Sequence, residues 1–174
     1  LAGDALTTGT NNVALGYSAL STENTGSSNV AIGSHALEDL NYNGSGYNTA
    51  VGHAAGRNVT TGVQNTIIGG LAGDALTTGN YNVAVGASSL STTLVASNNT
   101  AIGYGSLSVN VHGHKNTAVG MNTLGAMAPA GSSDSHNTAI GYSSQVSATT
   151  GEFNTSLGSL SMGVGVTTGD ANVA

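Results

Sequence analysis

An asparagine followed by Val or Thr, a small residue, an aliphatic residue and glycine recurs along this chain at a near-constant interval, and such strict self-similarity restricts the fold more than any other feature. The asparagines are Asn12, Asn29, Asn48, Asn65, Asn82, Asn99, Asn116, Asn137, Asn154 and Asn172, with spacings of 17, 19, 17, 17, 17, 17, 21, 17 and 18. Seventeen residues is the period, and the longer intervals mark insertions. Position four is always aliphatic: Leu15, Ile32, Val51, Ile68, Val85, Ile102, Val119, Ile140 and Leu157. Position five is glycine in the nine complete copies: Gly16, Gly33, Gly52, Gly69, Gly86, Gly103, Gly120, Gly141 and Gly158.

Positions two to five read as a strand, in which alternate residues point to opposite sides. One side carries Val or Thr and the aliphatic residue, and the other carries Ala and Gly, with Ile67 and Ser156 replacing alanine at position three. A second short strand is expected to end near the ninth-position leucines Leu20, Leu37, Leu90, Leu107 and Leu124. Gly9, Gly26, Gly62, Gly79, Gly113, Gly151 and Gly169 stand three residues before the asparagine and are expected to supply positive φ at a corner. Corners at fixed spacing stack equivalent strands in parallel. The predicted fold is therefore all-β, a parallel β-solenoid of about ten 17-residue coils running as one array over 1–174, with enlarged coils at 38–47 and 125–136.

Each coil is expected to bury its fourth-position aliphatic residue together with its leucine, too little to stand without neighbours. The restricted Ala-Gly side then calls for a close partner, and an identical chain is the expected one. Leu1–Gly9 recurs letter for letter at Leu71–Gly79, a duplication in four-coil blocks. Leu1 enters in mid-coil and Ala174 leaves in mid-motif, so the segment is expected to belong to a longer protein.

Large apolar side chains are scarce, with one Phe and no Trp, which argues against a round globule. Lys115 and Arg57 are the only bases against eight acids, a formal charge of -6 that opposes binding to nucleic acid or to an anionic membrane. Membrane insertion is not expected either, since no apolar run is long enough. The first residues also lack the features of a secretion signal, in keeping with a processed or excised segment. Absence of cysteine excludes disulfides and thiolate metal sites. Low charge and 27 glycines would suit disorder, but disordered tracts have no reason to hold so strict a register.

Asn29-Val30-Ala31-Ile32-Gly33 and Asn48-Thr49-Ala50-Val51-Gly52 resemble the repeats of trimeric autotransporter adhesin heads and of related phage and marine-virus tail fibres. The likeness runs from Asn12 to Ala174. It implies a left-handed parallel β-roll, three chains around a threefold axis, and an adhesive surface on a virion fibre or a cell. A host-surface glycan or protein receptor would be the partner. The period is shorter in adhesin heads, and Tyr17, Tyr104 and Tyr142 directly after the glycine look closer to viral fibre repeats.

Chemistry-bearing residues are few. His112-Gly113-His114 could offer nitrogens to a metal ion, as in iron sites of some phage fibres, but Gly113 sits at a corner position where flanking histidines diverge, and no metal or cofactor is expected. His35, His53 and His136 stand alone, and Asp4, Asp74, Asp134 and Asp170 lack the clustering of calcium-binding nonapeptides. Glu38-Asp39 is the one acidic pair, so catalysis is not expected. The enlarged coils are the natural seat of receptor contacts, through Tyr42 and Tyr47 in one and Ser133, Asp134 and His136 in the other. A rigid fibre or adhesin segment is the leading reading, with an ice-binding solenoid and a carbohydrate-processing fibre module as alternatives.

Overall fold

The computed structural model describes residues 1–129, 131, 133–163 and 168–174. Ala130 and Ser132, within the second enlarged coil, lie outside the described residues. Nine three-residue strands, all at positions two to four, form one sheet: β1 (Val13–Leu15), β2 (Val30–Ile32), β3 (Thr49–Val51), β4 (Thr66–Ile68), β5 (Val83–Val85), β6 (Thr100–Ile102), β8 (Thr117–Val119), β10 (Thr138–Ile140) and β11 (Thr155–Leu157). Every pairing is parallel and joins equivalent positions, as in Ala101 opposite Ala118. The protein is a parallel β-solenoid whose nine strands enclose eight complete turns, and a bridge from Thr155 to Val173 starts a further rung. A second ladder of two short strands, β7 (Gly113–His114) and β9 (Ser133–Asp134), forms at another corner of the coil.

The repeat asparagine holds the register. Its Oδ1 accepts the backbone N–H of the next repeat asparagine, 17 to 21 residues on, at 2.9–3.1 Å from Asn12 through to Asn172. In most coils its Nδ2 donates to a corner carbonyl of the following coil, such as Gly62 O for Asn48 and Gly113 O for Asn99. Asn29 through Asn154 are buried, so an unpartnered amide here would forfeit hydrogen bonds it could make in water. Only an identical coil above and below satisfies it.

The strand faces are inverted relative to expectation. Alanine at position three points inward, half-buried at Ala14 in the first coil and fully buried at Ala31, Ala50, Ala101, Ala118 and Ala139, whereas the fourth-position aliphatics point out. The interior is filled instead by the ninth-position leucines, Leu20, Leu37, Leu90, Leu107 and Leu124, and by Leu40, Val59, Leu76 and Met127. One leucine facing one alanine fills the narrow coil, and an aliphatic residue in place of the alanine would overpack it. Ile67 confirms the rule. It stands where Gly56 and Gly73 replace the leucine, and its Cδ1 lies 2.8 Å from where a Cβ on Gly56 would be. Ser156 is the other departure, and it meets Ser144 and Gln145 in a buried polar cluster with Oγ to Oγ at 2.5 Å and Gln145 Nε2 at 2.9 Å.

No second strand ends at the leucines. They lie in turns with φ between 48° and 52°, in the left-handed region, as do the seventh position and the residue before each repeat asparagine. Leucine tolerates this because its burial offsets the backbone cost. The glycines three residues before the asparagine lack positive φ; at Gly9, Gly62, Gly79 and Gly151 a Cβ would crowd the next coil, coming 2.5 Å from Gly79 O at Gly62, although Ala96 fills the equivalent place before Asn99. Position-five glycines from Gly16 to Gly141 carry both constraints. Gly103 has φ +124°, and a Cβ would sit 2.5 Å from Gly120 O.

Two outcomes follow from this packing. Gly103→Ala is expected to destabilise by more than about 2 kcal/mol in chemical denaturation, whereas Gly70→Ala, with nothing within 4 Å and Ala87 at the same place one coil on, is expected to be neutral. Ile67→Ala is expected to cost roughly 2–5 kcal/mol, and combining it with Gly56→Leu should recover much of that loss, a favourable coupling in a double-mutant cycle. Additive losses would show that leucine and isoleucine do not share one interior volume.

Candidate functional site

Inversion of the strand leaves an outward face with no cover. Val13 is 49% exposed, Leu15 64%, Ile68, Ile102 and Ile140 39% each, and Leu157 71%. The sixth position, just past the glycine, adds exposed Tyr17, Tyr104, Met121 and Tyr142 along one edge. Positions two to six in nine coils make a strip roughly 38 Å long and 16 Å wide, about 600 Å² at ordinary strand spacings. That approaches one partner's share of a specific interface.

Charge is segregated from this strip. None of the ten charged side chains occupies positions two, four or six: Asp4, Glu38, Arg57 and Asp74 sit at the tenth position, Asp39 beside it, and the others farther round the coil. Charge depletion with aliphatic and tyrosine side chains is the composition of the centre of a protein–protein interface. Glu38 is tied down by Arg57 Nε at 2.8 Å and by His35 Nδ1 at 2.9 Å, so the Glu38-Asp39 pair does not act as two free carboxylates.

Both enlarged coils remain laced to their neighbours. Tyr42 is half-buried against the core, and its backbone N–H donates to Glu23 Oε2 at 3.1 Å; Glu23 is itself fully buried and also accepts from Gly26 N at 2.7 Å and Thr25 N at 3.2 Å. A bridge between Ser27 and Ser45 continues the stacking there. In the other enlargement Ser133 and Asp134 form β9, with Lys115 Nζ donating to Asp134 Oδ2 at 2.6 Å and holding that carboxyl below its usual range. Tyr47 and His136 are not loop tips but the residues before repeat asparagines, in the same left-handed corner row. The structure thus places Tyr47 and His136 on one row five coils apart, while Tyr42 belongs to packing.

His114 Nδ1 accepts the Ser97 backbone N–H at 3.0 Å, and Gly113 between the two histidines is buried. Among the described residues no group of three or more His, Cys, Asp or Glu side chains is arranged to hold a metal ion, and no helix is long and apolar enough to cross a membrane. Comparison with protein-family models, curated proteins and solved structures finds no match to this chain.

Sequence reasoning missed the outward aliphatic strip, although one signal was available: Ile67 coincides with glycines where its neighbours carry leucine. It also missed the corner row of Tyr47, Tyr81 and Phe153, each directly before a repeat asparagine. Asp74 shows the cost of placing an acid in this scaffold. Its Oδ1 is buried without a partner, and burial raises its carboxyl above the usual range against the lowering effects of backbone hydrogen bonds and Arg57. A raised carboxyl favours the fold below its titration and loses that benefit as pH rises through it. Asp74→Asn is therefore expected to melt at a higher temperature than the unaltered protein at pH 7, with the difference shrinking toward pH 3. A constant difference across that range would assign the effect to shape.

Proposed function

We propose that this chain is a structural segment of an extracellular fibre, a tail-fibre shaft or adhesin head, whose outward aliphatic strips pack together in a parallel homotrimer. Its work is reach, rigidity and display of a surface to a host glycan or protein. The charge-free strip of Leu15, Ile32, Val51, Ile68, Val85, Ile102, Val119, Ile140 and Leu157 carries this reading, since it runs the length of the rod. It replaces the Ala-Gly side as the contact face, because that side is already packed within the coil. The uniform parallel register supports side-by-side packing of like residues, and the resemblance to trimeric fibre heads supports three chains. Ice binding would use the same strip, but its hydroxyl row is interrupted by Val13, Val30 and Val83 and backed by aliphatic residues in every coil.

Light scattering should return three times the chain mass of 16.9 kDa. Val85→Asp and Ile102→Asp should each break the assembly, while Asn58→Asp, exposed at the eleventh position, should leave it intact. Because assembly is linked to folding, dilution of the unaltered protein should lower its melting temperature in a single transition. A folded monomer whose melting temperature does not depend on concentration would contradict the proposal.

A further inference from the structure

The residue before each repeat asparagine forms a row along one corner of the coil: Asn11, Ser28, Tyr47, Gln64, Tyr81, Asn98, Lys115, His136, Phe153 and Ala171. All ten have φ between 50° and 63°. A left-handed backbone suits Gly or Asn and strains a bulky residue, and at the ninth position the strain is offset by burial of Leu37, Leu90, Leu107 and Leu124. In the corner row it is not. Tyr47 is 60% exposed, Tyr81 53% and Phe153 55%. Asn11, Ser28, Asn98 and Ala171 show that the corner does not need an aromatic ring; Phe153 stacks on His136 with ring centroids 5.2 Å apart, whereas Tyr47 and Tyr81 stand exposed. Leu71 and Leu160 are also exposed at left-handed φ, so it is the even spacing of exposed rings along one corner, and not strain alone, that points to a ligand.

The order of residues indicates what they face. Tyr47, Gln64, Tyr81 and Asn98 alternate ring and amide in successive coils, and among the described residues neither the Gln64 nor the Asn98 side chain makes a hydrogen bond. Backbone bonds from Gln64 N to Gly46 O at 2.7 Å, Tyr81 N to Val63 O at 3.1 Å and Asn98 N to Asn80 O at 3.0 Å fix the corners in the stack. Coils rise about 4.8 Å, which separates the two tyrosines by about 9–10 Å. A β-1,4-linked hexose chain presents the same face with a comparable disaccharide repeat. Rings stack on the apolar faces of alternate sugars, while the amides donate to and accept from hydroxyls between them. These four positions carry no formal charge, and the protein's net charge of -6 disfavours an anionic polymer.

We infer that Tyr47, Gln64, Tyr81 and Asn98 bind a linear, uncharged β-1,4-linked polysaccharide lying along the rod. Lys115, paired with Asp134, marks the end of the uncharged stretch. This deepens the reading of the chain as a display segment by naming the class of receptor, and it rests on that reading.

Calorimetric titration of the whole chain with the hexasaccharides of β-1,4-glucose, β-1,4-mannose and β-1,4-N-acetylglucosamine, and with the matching disaccharides, tests it. At least one hexasaccharide should bind, and its disaccharide about tenfold or more weakly. Tyr47→Asn and Tyr81→Asn should each weaken hexasaccharide binding at least about tenfold. Because Asn suits the left-handed corner, neither should lower the melting temperature or change the assembled mass. Failure of all three hexasaccharides to bind, or unchanged binding by both variants, overturns the inference. A lower melting temperature or altered mass in both variants also overturns it, since the rings would then be packing elements. The mass of the unaltered protein, measured on the same sample, reports separately on assembly.

Discussion

Everything in this fold depends on the hydrogen bond from the backbone of one repeat asparagine to the side chain of the one before it. That bond lets a buried amide side chain meet its needs only when an equivalent amide lies one coil away. It therefore imposes a common strand register, parallel strands and a constant rise, whatever the length of the coil between. Strands of three residues would be marginal alone, and nine of them in one register become a continuous sheet.

Constant register has a price in sequence freedom. A side chain at a given position meets its own equivalent above and below, so one wrong size is repeated or must be corrected nearby. Ile67 with Gly56 and Gly73 corrects by exchanging volume across the interior, and Ser156 with Ser144 and Gln145 corrects by a polar cluster that leaves Gln145 Oε1 without a partner. The enlargement before Asn48 is absorbed outside the strand register: Thr49 pairs with Val30 and Thr66 as any other coil would. Insertions are thus tolerated between the corner and the next asparagine, where the chain can lengthen without moving the ladder.

The period, the asparagines, the position-five glycines and the core leucines were legible in the residues themselves, because each repeats with the coil. The sense of the strand was not. Both of its sides are restricted, and hydrophobicity alone favours turning the aliphatic side in; the decision rests on interior width, which only the facing leucine sets. The left-handed corners were equally hidden, since Leu37, Ser88 and Tyr81 carry no glycine signature, while the corner glycines that looked conformational serve close approach. By sequence Tyr47 and His136 belong to enlarged loops, and their membership of a common corner row emerges only once coils of 19 and 21 residues are aligned by the ladder.

The direction of the strand face, and its cover by other copies of the chain, can be read at a single pair of adjacent positions. The protein has no cysteine, so Ala101→Cys, Ile102→Cys and Asn58→Cys each carry one thiol. Reaction with a bulky maleimide should be fast at 58, absent at 101, and slow at 102 in the assembled protein but fast at 102 once Val85→Asp has separated the chains while the coils stay folded. Fast labelling at 101 with protection at 102 in separated, folded chains would turn the strand over, and fast labelling at 102 in the unaltered assembly would leave the aliphatic strip without its partner.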